Sequence, residues 1–273
     1  MNWRLQKTLH YTLLALLAAA ILYPLYFTFA SAFMTPQEVS SYPPPLVPKG
    51  LYWGNIADTL NTVPIVKFLL NSLITSVSIT AGQLVFSSMA AYAFAILRFP
   101  GKGLLFIMFL STMMIPWEIT IIPNYLTIRA WGWMDSYQGL TVPFMASAFG
   151  IFLLRQSFLQ LPAELFDAAK IDGCGIFRCY LRLVLPLSRP ALATLCIYGY
   201  LHAWNMYLWP LLITNSDMMR TVQIGISMLQ WEESQSWNLV LAGVTIVLIP
   251  SLLLLVVGIR QLVQGITAGA LKG

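Results

Sequence analysis

The sequence predicts an all-α polytopic membrane protein with six transmembrane helices and one polar, helix-capable insert between the fourth and fifth. Three observations predict this. Of the 273 residues 58% are hydrophobic and only 9% charged, against about 25% charged in soluble domains. The apolar residues fall in runs long enough to cross a bilayer, which takes ~20 residues of helix because lipid offers no partners for backbone groups. The stretch Leu161 to Pro190 interrupts this pattern, holding three of the ten carboxylates and four of the fifteen Lys/Arg side chains.

The first span is expected at about 9–33, behind the basic residues Arg4 and Lys7. The alternative is a cleaved signal peptide, with Ala30-Ser31-Ala32 as a small-residue site. The 25 apolar-biased residues exceed the ~7–15 of a signal core, so the segment is read as retained. A polar loop with Pro43, Pro44, Pro45 and Pro48 follows, its prolines favouring extended backbone outside the bilayer.

The second span is expected at about 68–97, and Arg98, Pro100, Gly101, Lys102 and Gly103 make a tight basic turn after it. The third, about 104–128, carries Pro116 and Pro123; the fourth runs over about 138–154. The fifth is placed at about 187–213, then a loop, 214–236, then the sixth at about 237–259 and a tail, 260–273. The whole chain, 1–273, is read as one transmembrane domain.

Orientation follows from the bias of Lys and Arg toward cytoplasmic loops. With the N-terminus inside, the inner set is Arg4, Lys7, Arg98, Lys102, Arg155, Lys170, Arg178, Arg182, Arg189, Arg260 and Lys272; the outer set is Lys49, Lys67, Arg129 and Arg220. Eleven against four puts both termini and the polar insert in the cytoplasm. The same pattern explains the net charge of +5 without nucleic acid, since the cations are scattered through short loops. Cys174, Cys179 and Cys196 follow no metal or disulfide spacing, so they are expected as packing residues and no metal site is expected.

Within the insert, Pro162 suits the start of a helix, with Glu164 and Asp167 near its positive end. Gly173 and Gly175 are expected to end it after about eleven residues, ~16 Å. A second helical run reaches Leu185 and is expected to stop at Pro186. Leu161, Leu165, Ala168, Ala169 and Asp172 share one face, whose alanines would let a partner's backbone come close. The alternative is an amphipathic pair lying on the membrane surface that merely joins two spans.

Asp167-Ala168-Ala169, then Gly173, then Leu183-Val184-Leu185-Pro186 resemble the EAA loop of binding-protein-dependent ABC importer permeases: EAA, three residues, Gly, nine residues, I-x-L-P. Asp167 stands where Glu is usual and Leu183 where Ile is usual. The resemblance implies that the insert, 161–186, is a cytoplasmic coupling helix, with Glu164, Asp167, Ala168, Ala169, Gly173 and Pro186 coupling the spans to an ATPase. The tail, through Gly265, Thr267, Ala268 and Gly269, resembles that of maltose-type permeases, which reaches between the ATPase subunits. Met134-Asp135-Ser136-Tyr137 and Trp204-Asn205 with Tyr207-Leu208-Trp209-Pro210 are similar to the sn-glycerol-3-phosphate branch of this carbohydrate-uptake family. The implied partners are a second homologous permease, two ATP-binding subunits and an extracytoplasmic solute-binding protein, in a bacterial inner membrane.

No G-x-x-x-x-G-K-[ST] phosphate cradle occurs, so no cofactor is expected on this chain; ATP and Mg would belong to the partner ATPase. For the solute pathway, Glu118 beside Trp117, between two prolines, is a candidate lining carboxylate. Its alternative is a Glu near the outer interface, reached by snorkelling or paired with Arg129. Trp204, Asn205 and Tyr207 form the other candidate, since aromatic faces pack on sugar carbons and an amide exchanges bonds with hydroxyls. Interhelical packing or an aromatic belt is the alternative. His202 is read as a packing residue. The loops, including Trp231, Glu232 and Glu233, are the expected receivers of a solute-binding protein. A stand-alone secondary transporter, coupled through Glu118, would require repeats the chain lacks. An intramembrane enzyme would require a catalytic constellation, and none is present in the spans.

Overall fold

A computed structural model describes residues 3–231 and 237–267, and every described element of regular structure is helical. The helices are α1 (Trp3–Ala32), α2 (Pro36–Val39), α3 (Gly54–Thr62), α4 (Ile65–Ala95), α5 (Lys102–Thr112), α6 (Trp117–Ala130), α7 (Tyr137–Thr141), α8 (Ala148–Phe158), α9 (Ala163–Ile171), α10 (Ile176–Cys179), α11 (Leu185–Leu187), α12 (Arg189–Trp204), α13 (Leu208–Ile213), α14 (Val222–Trp231) and α15 (Trp237–Thr267). Three of them, within α1, α4 and α15, are long and apolar enough to cross a membrane unaided. Three bent pairs bring the number up to six if each counts as one span: Lys102–Thr112 with Trp117–Ala130, Tyr137–Phe144 with Ala148–Phe158, and Ile176–Leu187 with Arg189–Trp204.

The bends have local causes. Pro116 has no N–H to donate and its backbone is extended (φ −57°, ψ 135°), so α5 and α6 meet at 95°. Pro123, by contrast, is accommodated inside α6. Ser147 caps α8 by accepting from the Gly150 amide at 3.0 Å, which restarts the chain at 44° to the preceding segment. Around the expected fifth span, 187–213, helix begins at Ile176, turns by 79° around Ser188, and breaks again after Trp204 before α13.

Two further expectations change. Lys67 lies in the first turn of α4 rather than in the loop. The two loops expected on the outer side also contain helix: α3 in one, α14 in the other. Both are too short to span, so a ruler for spanning helices passes over them.

The chain forms two compact units, 1–67 with 222–249, and 68–221 with 250–273. In the first, Asn55 is fully buried; its amide donates to the Ala32 and Met34 carbonyls at 3.0 and 2.7 Å and its oxygen accepts from Asn238 at 2.9 Å. Before α2, Thr35 and Glu38 form a reciprocal capping box. The Thr35 amide bonded to it holds the Glu38 carboxyl below its usual range. The second unit carries the polar insert and the candidate pathway residues.

Candidate functional site

The insert is built around α9, nine residues rather than about eleven. Pro162 precedes it with extended backbone, Glu164 lies in its first turn and Lys170 in its last, matching the helix dipole. Its end is a Schellman motif. Gly173 is left-handed at φ +68°, its amide bonds the Lys170 carbonyl at 3.0 Å, and the Cys174 amide bonds the Ala169 carbonyl at 2.8 Å. A Cβ on Gly173 would meet nothing within 4 Å, so the backbone angle is what requires glycine.

The expected common face of α9 is split in the structure. Leu161 and Ala169 are half-buried, whereas Leu165, Ala168 and Asp172 are exposed. The inward anchor is Phe166, which the reading of the sequence did not select. Together with Leu161 it packs against a core of Ala91, Tyr92, Leu154, Phe158, Tyr180 and Val184. Glu164, Asp167 and Ala168 are thereby held on an exposed surface. Asp167 pairs with Lys170 at 3.4 Å, but both side chains are over 70% exposed, so this contact adds little stability.

Beyond Gly175 the chain re-enters the unit through α10. The Tyr92 hydroxyl donates to the Ile176 carbonyl at 3.0 Å, and the Ser88 and Tyr180 hydroxyls pair at 2.7 Å. The Tyr92 and Tyr180 rings lie 5.3 Å apart, an arrangement worth ~1 kcal/mol beyond burial. The insert is therefore fastened to the C-terminal third of α4. That end of α4 is itself capped by cations: Lys102 Nζ donates to the Ala95 and Leu97 carbonyls at 3.1 and 2.9 Å, and Arg155 Nε to the Phe94 carbonyl at 3.1 Å.

Pro186 does not stop the second helical run, which continues to Leu187. Residues Tyr180–Val184 form a π-turn, in which the Leu185 amide reaches back to the Tyr180 carbonyl. The wider turn shifts the hydrogen-bond register just before the proline, and Pro186 then occupies the first turn of α11, where no N–H is missed. The actual break falls at Ser188.

Among the pathway candidates, Glu118 is exposed in the first turn of α6, where the helix dipole favours a carboxylate. Arg129 lies eleven residues further along the same helix, ~16 Å away, so the alternative pairing does not form. Trp117 is half-buried in an aromatic cluster, 4.9 Å from Phe144 and 5.7 Å from Trp209. Trp204 is 3% exposed and stacks on Tyr200 at 5.6 Å. Asn205 is exposed and donates to the Leu201 carbonyl at 2.8 Å, while Tyr207 is 40% exposed. The structure thus places Trp117 and Trp204 in packing and leaves Glu118, Asn205 and Tyr207 with open surface.

Two polar residues organise the other end of this unit: Asn71, which the reading of the sequence passed over, and Asp135, which it named only within a resembling stretch. Asn71, fully buried in α4, donates to the Met218 and Arg220 carbonyls at 2.9 and 2.8 Å and accepts from the Tyr137 hydroxyl at 2.8 Å. Asp135 adopts φ +51° and its carboxylate accepts from the Asn215 and Ser216 amides at 2.7 and 3.1 Å. An Asn inside a span-length apolar run was the available signal.

In the tail, Gly265 and Thr267 belong to the last turns of α15, which extends past the expected end at 259. Ala268 and Gly269 lie outside the described residues, as do Glu232 and Glu233. Among the described residues no group of His, Cys, Asp and Glu could hold a metal.

The pattern of the family described as binding-protein-dependent transport system inner membrane component matches residues 52–267. The sn-glycerol-3-phosphate transport system permease protein UgpE of Pectobacterium atrosepticum is 40% identical over 255 residues, covering 90% of this chain and 91% of the relative. The protein of the same name from Escherichia coli O1:K1 / APEC is 39% identical over 265 residues, 94% of each chain. A solved bacterial ABC transporter chain involved in import of the acidic polysaccharide alginate superposes with TM-score 0.82 at 22% identity, over 94% of this chain and 96% of that one. That last likeness carries the fold.

Proposed function

This chain belongs to the binding-protein-dependent transport system inner membrane components, as a permease subunit of an ABC importer, and from that premise we propose how it works and what it carries. It crosses the inner membrane six times, each bent pair counting as one span, with both termini in the cytoplasm. The insert is the coupling helix: α9 docks on an ATP-binding subunit, and its closure upon ATP binding is passed to α4 through Phe166, Tyr92 and Tyr180. The observation that carries this reading is the two-sidedness of α9, anchored by Phe166 and exposed at Glu164, Asp167 and Ala168. The chain itself is non-catalytic and binds no cofactor. A second permease completes the pathway, two ATP-binding subunits supply the energy, the tail with Gly265, Thr267, Ala268 and Gly269 touches them, and a solute-binding protein delivers the cargo.

The solute is sn-glycerol-3-phosphate or a related glycerol phosphodiester, as the names of the relatives indicate. One observation favours a second reading, a neutral mono-, di- or oligosaccharide. Phosphate recognition calls for Arg or Lys, and Arg220, one of the four cations assigned to the far side, is already bound to Asp217 at 2.6 Å. On the first reading the sister permease supplies the anion site.

The test is reconstitution with the sister permease and the ATPase. Asp167→Trp leaves insertion intact, because the side chain is exposed, and lowers solute transported per ATP hydrolysed. Normal transport by that variant, or movement of solute by the purified chain without ATPase, overturns the reading. Binding of glycerol-3-phosphate against sugars by the cognate solute-binding protein decides the cargo.

A further inference from the structure

A groove of about 380 Å³ opens on the side of the second unit, just above the fastening of the insert. Its walls are Val85 and Ser88 of α4, Leu192, Ala193 and Cys196 of α12, and Tyr180 of the π-turn. The volume falls within the ~300–1,000 Å³ of small-molecule sites. Its two hydroxyls, Ser88 and Tyr180, satisfy each other at 2.7 Å, so the floor asks for no polar partner. The lining suits hydrocarbon.

The groove is not apolar at both ends. Arg189, Leu192, Ala193 and Cys196 follow the i, i+3, i+4, i+7 rule and so lie on one stripe of α12. Arg189 therefore stands one turn beyond the walls, on the side where the π-turn approaches. Arg189 is exposed, and the ion pairs among the described residues are Lys170–Asp167 and Arg220–Asp217. One guanidinium group thus lies on the stripe that walls the slot, one turn beyond its apolar lining.

We propose that this groove is a binding site for an anionic phospholipid, one acyl chain lying between α4 and α12 and the phosphate meeting Arg189. Basic pockets between spans on the cytoplasmic side suit anionic headgroups, and each cation near the surface contributes about a fivefold preference. The placement of the mouth at the cytoplasmic leaflet rests on the orientation proposed above. The ligand would touch Tyr180, the residue that ties the insert to α4, so its occupancy would stiffen that connection.

The experiment uses the complete permease–ATPase complex in nanodiscs of phosphatidylethanolamine with and without phosphatidylglycerol, and native mass spectrometry of the retained lipid. The wild type is expected to retain phosphatidylglycerol selectively. Arg189→Gln should lower that retention about fivefold, Arg189→Lys should restore most of it, and Ala193→Trp, which fills the slot, should abolish it. Val85→Trp repeats the last arm if Ala193→Trp fails to assemble. Equal retention of both lipids by the wild type, or retention unchanged in Arg189→Gln and in a slot-filling variant, overturns the proposal. So does loss of the sister permease from Ala193→Trp with lipid retention intact, since the groove is then a subunit interface. Selective retention in a complex that shows no ATP-driven uptake would count against the importer reading while leaving the lipid site standing.

Discussion

Asn71 shows how much one polar side chain can organise in an apolar span. Its amide satisfies two carbonyls of the segment at 218–220, and its oxygen takes the Tyr137 hydroxyl. Asn71→Leu keeps the volume but strands all three groups, and a buried group without a partner costs ~1–3 kcal/mol. We expect Asn71→Leu to destabilise the purified protein by about 3 kcal/mol and Tyr137→Phe by about 1, read as thermal midpoints in detergent. A midpoint for Asn71→Leu as high as that of Tyr137→Phe would mean that the loop carbonyls find other donors. Tyr92 acts at the opposite end of the same helix. Tyr92→Phe removes the bond to the Ile176 carbonyl and should speed hydrogen exchange of the Ile176–Cys179 amides about fivefold, the equivalent of ~1 kcal/mol. Unchanged exchange would show that ring packing alone fastens the insert. Asn71 was open to discovery in the sequence, as a costly group in a span. The Tyr92–Ile176 bond was not, because it joins residues 84 apart in the chain.

At the scale of helices, the sequence signalled where long apolar helix lies far better than where the chain turns. Counting apolar residues averages over direction, so 104–128 reads as one rod although Pro116 turns it by 95°. The turn at Ser188 carries still less signal, since Pro186 two residues earlier is absorbed by the π-turn. Short amphipathic helices such as α14 fall below the length that counting recognises. The end of α9 was legible because it depends on one residue type at one position. Gly173→Val forces a β-branched residue to φ +68°, costing more than the ~1–2 kcal/mol of an ordinary L-residue there. It should fray α9 and lower the ratio of transport to hydrolysis. Gly173→Asn, which visits the left-handed region readily, should restore most of that ratio. If Asn uncouples as strongly as Val, the bulk at the docking surface matters and not the backbone angle.

At the scale of the whole molecule, the orientation rests on eleven cations against four, a bias exerted during insertion rather than by any contact in the folded chain. The structure is consistent with a functional reason for part of that count. Lys102 and Arg155 close the carbonyl end of α4 beside the insert, so two of the cations counted as inner also hold the end of α4 to which the insert is fastened. The pairing of α9 with Tyr180 and α4 could not be read from the charges, because it depends on the turn at Gly173 returning the chain so that Tyr180 joins the core on which Phe166 packs. Orientation can be measured at two positions chosen for exposure. Tyr42 is 99% exposed and Ile171 is 87% exposed, so a cysteine at either should react with a membrane-impermeant maleimide in a variant whose native cysteines are replaced by serine. Tyr42→Cys should label in intact spheroplasts, and Ile171→Cys only in inside-out vesicles. Labelling of both from one side would reverse or break the six-span topology. Adding the ATP-binding subunits should then slow labelling of Ile171→Cys at least severalfold and leave Tyr42→Cys unaffected, because docking on α9 covers one site and lies across the membrane from the other. Full reactivity of Ile171→Cys in a complex that still hydrolyses ATP and transports would move the docking surface away from α9.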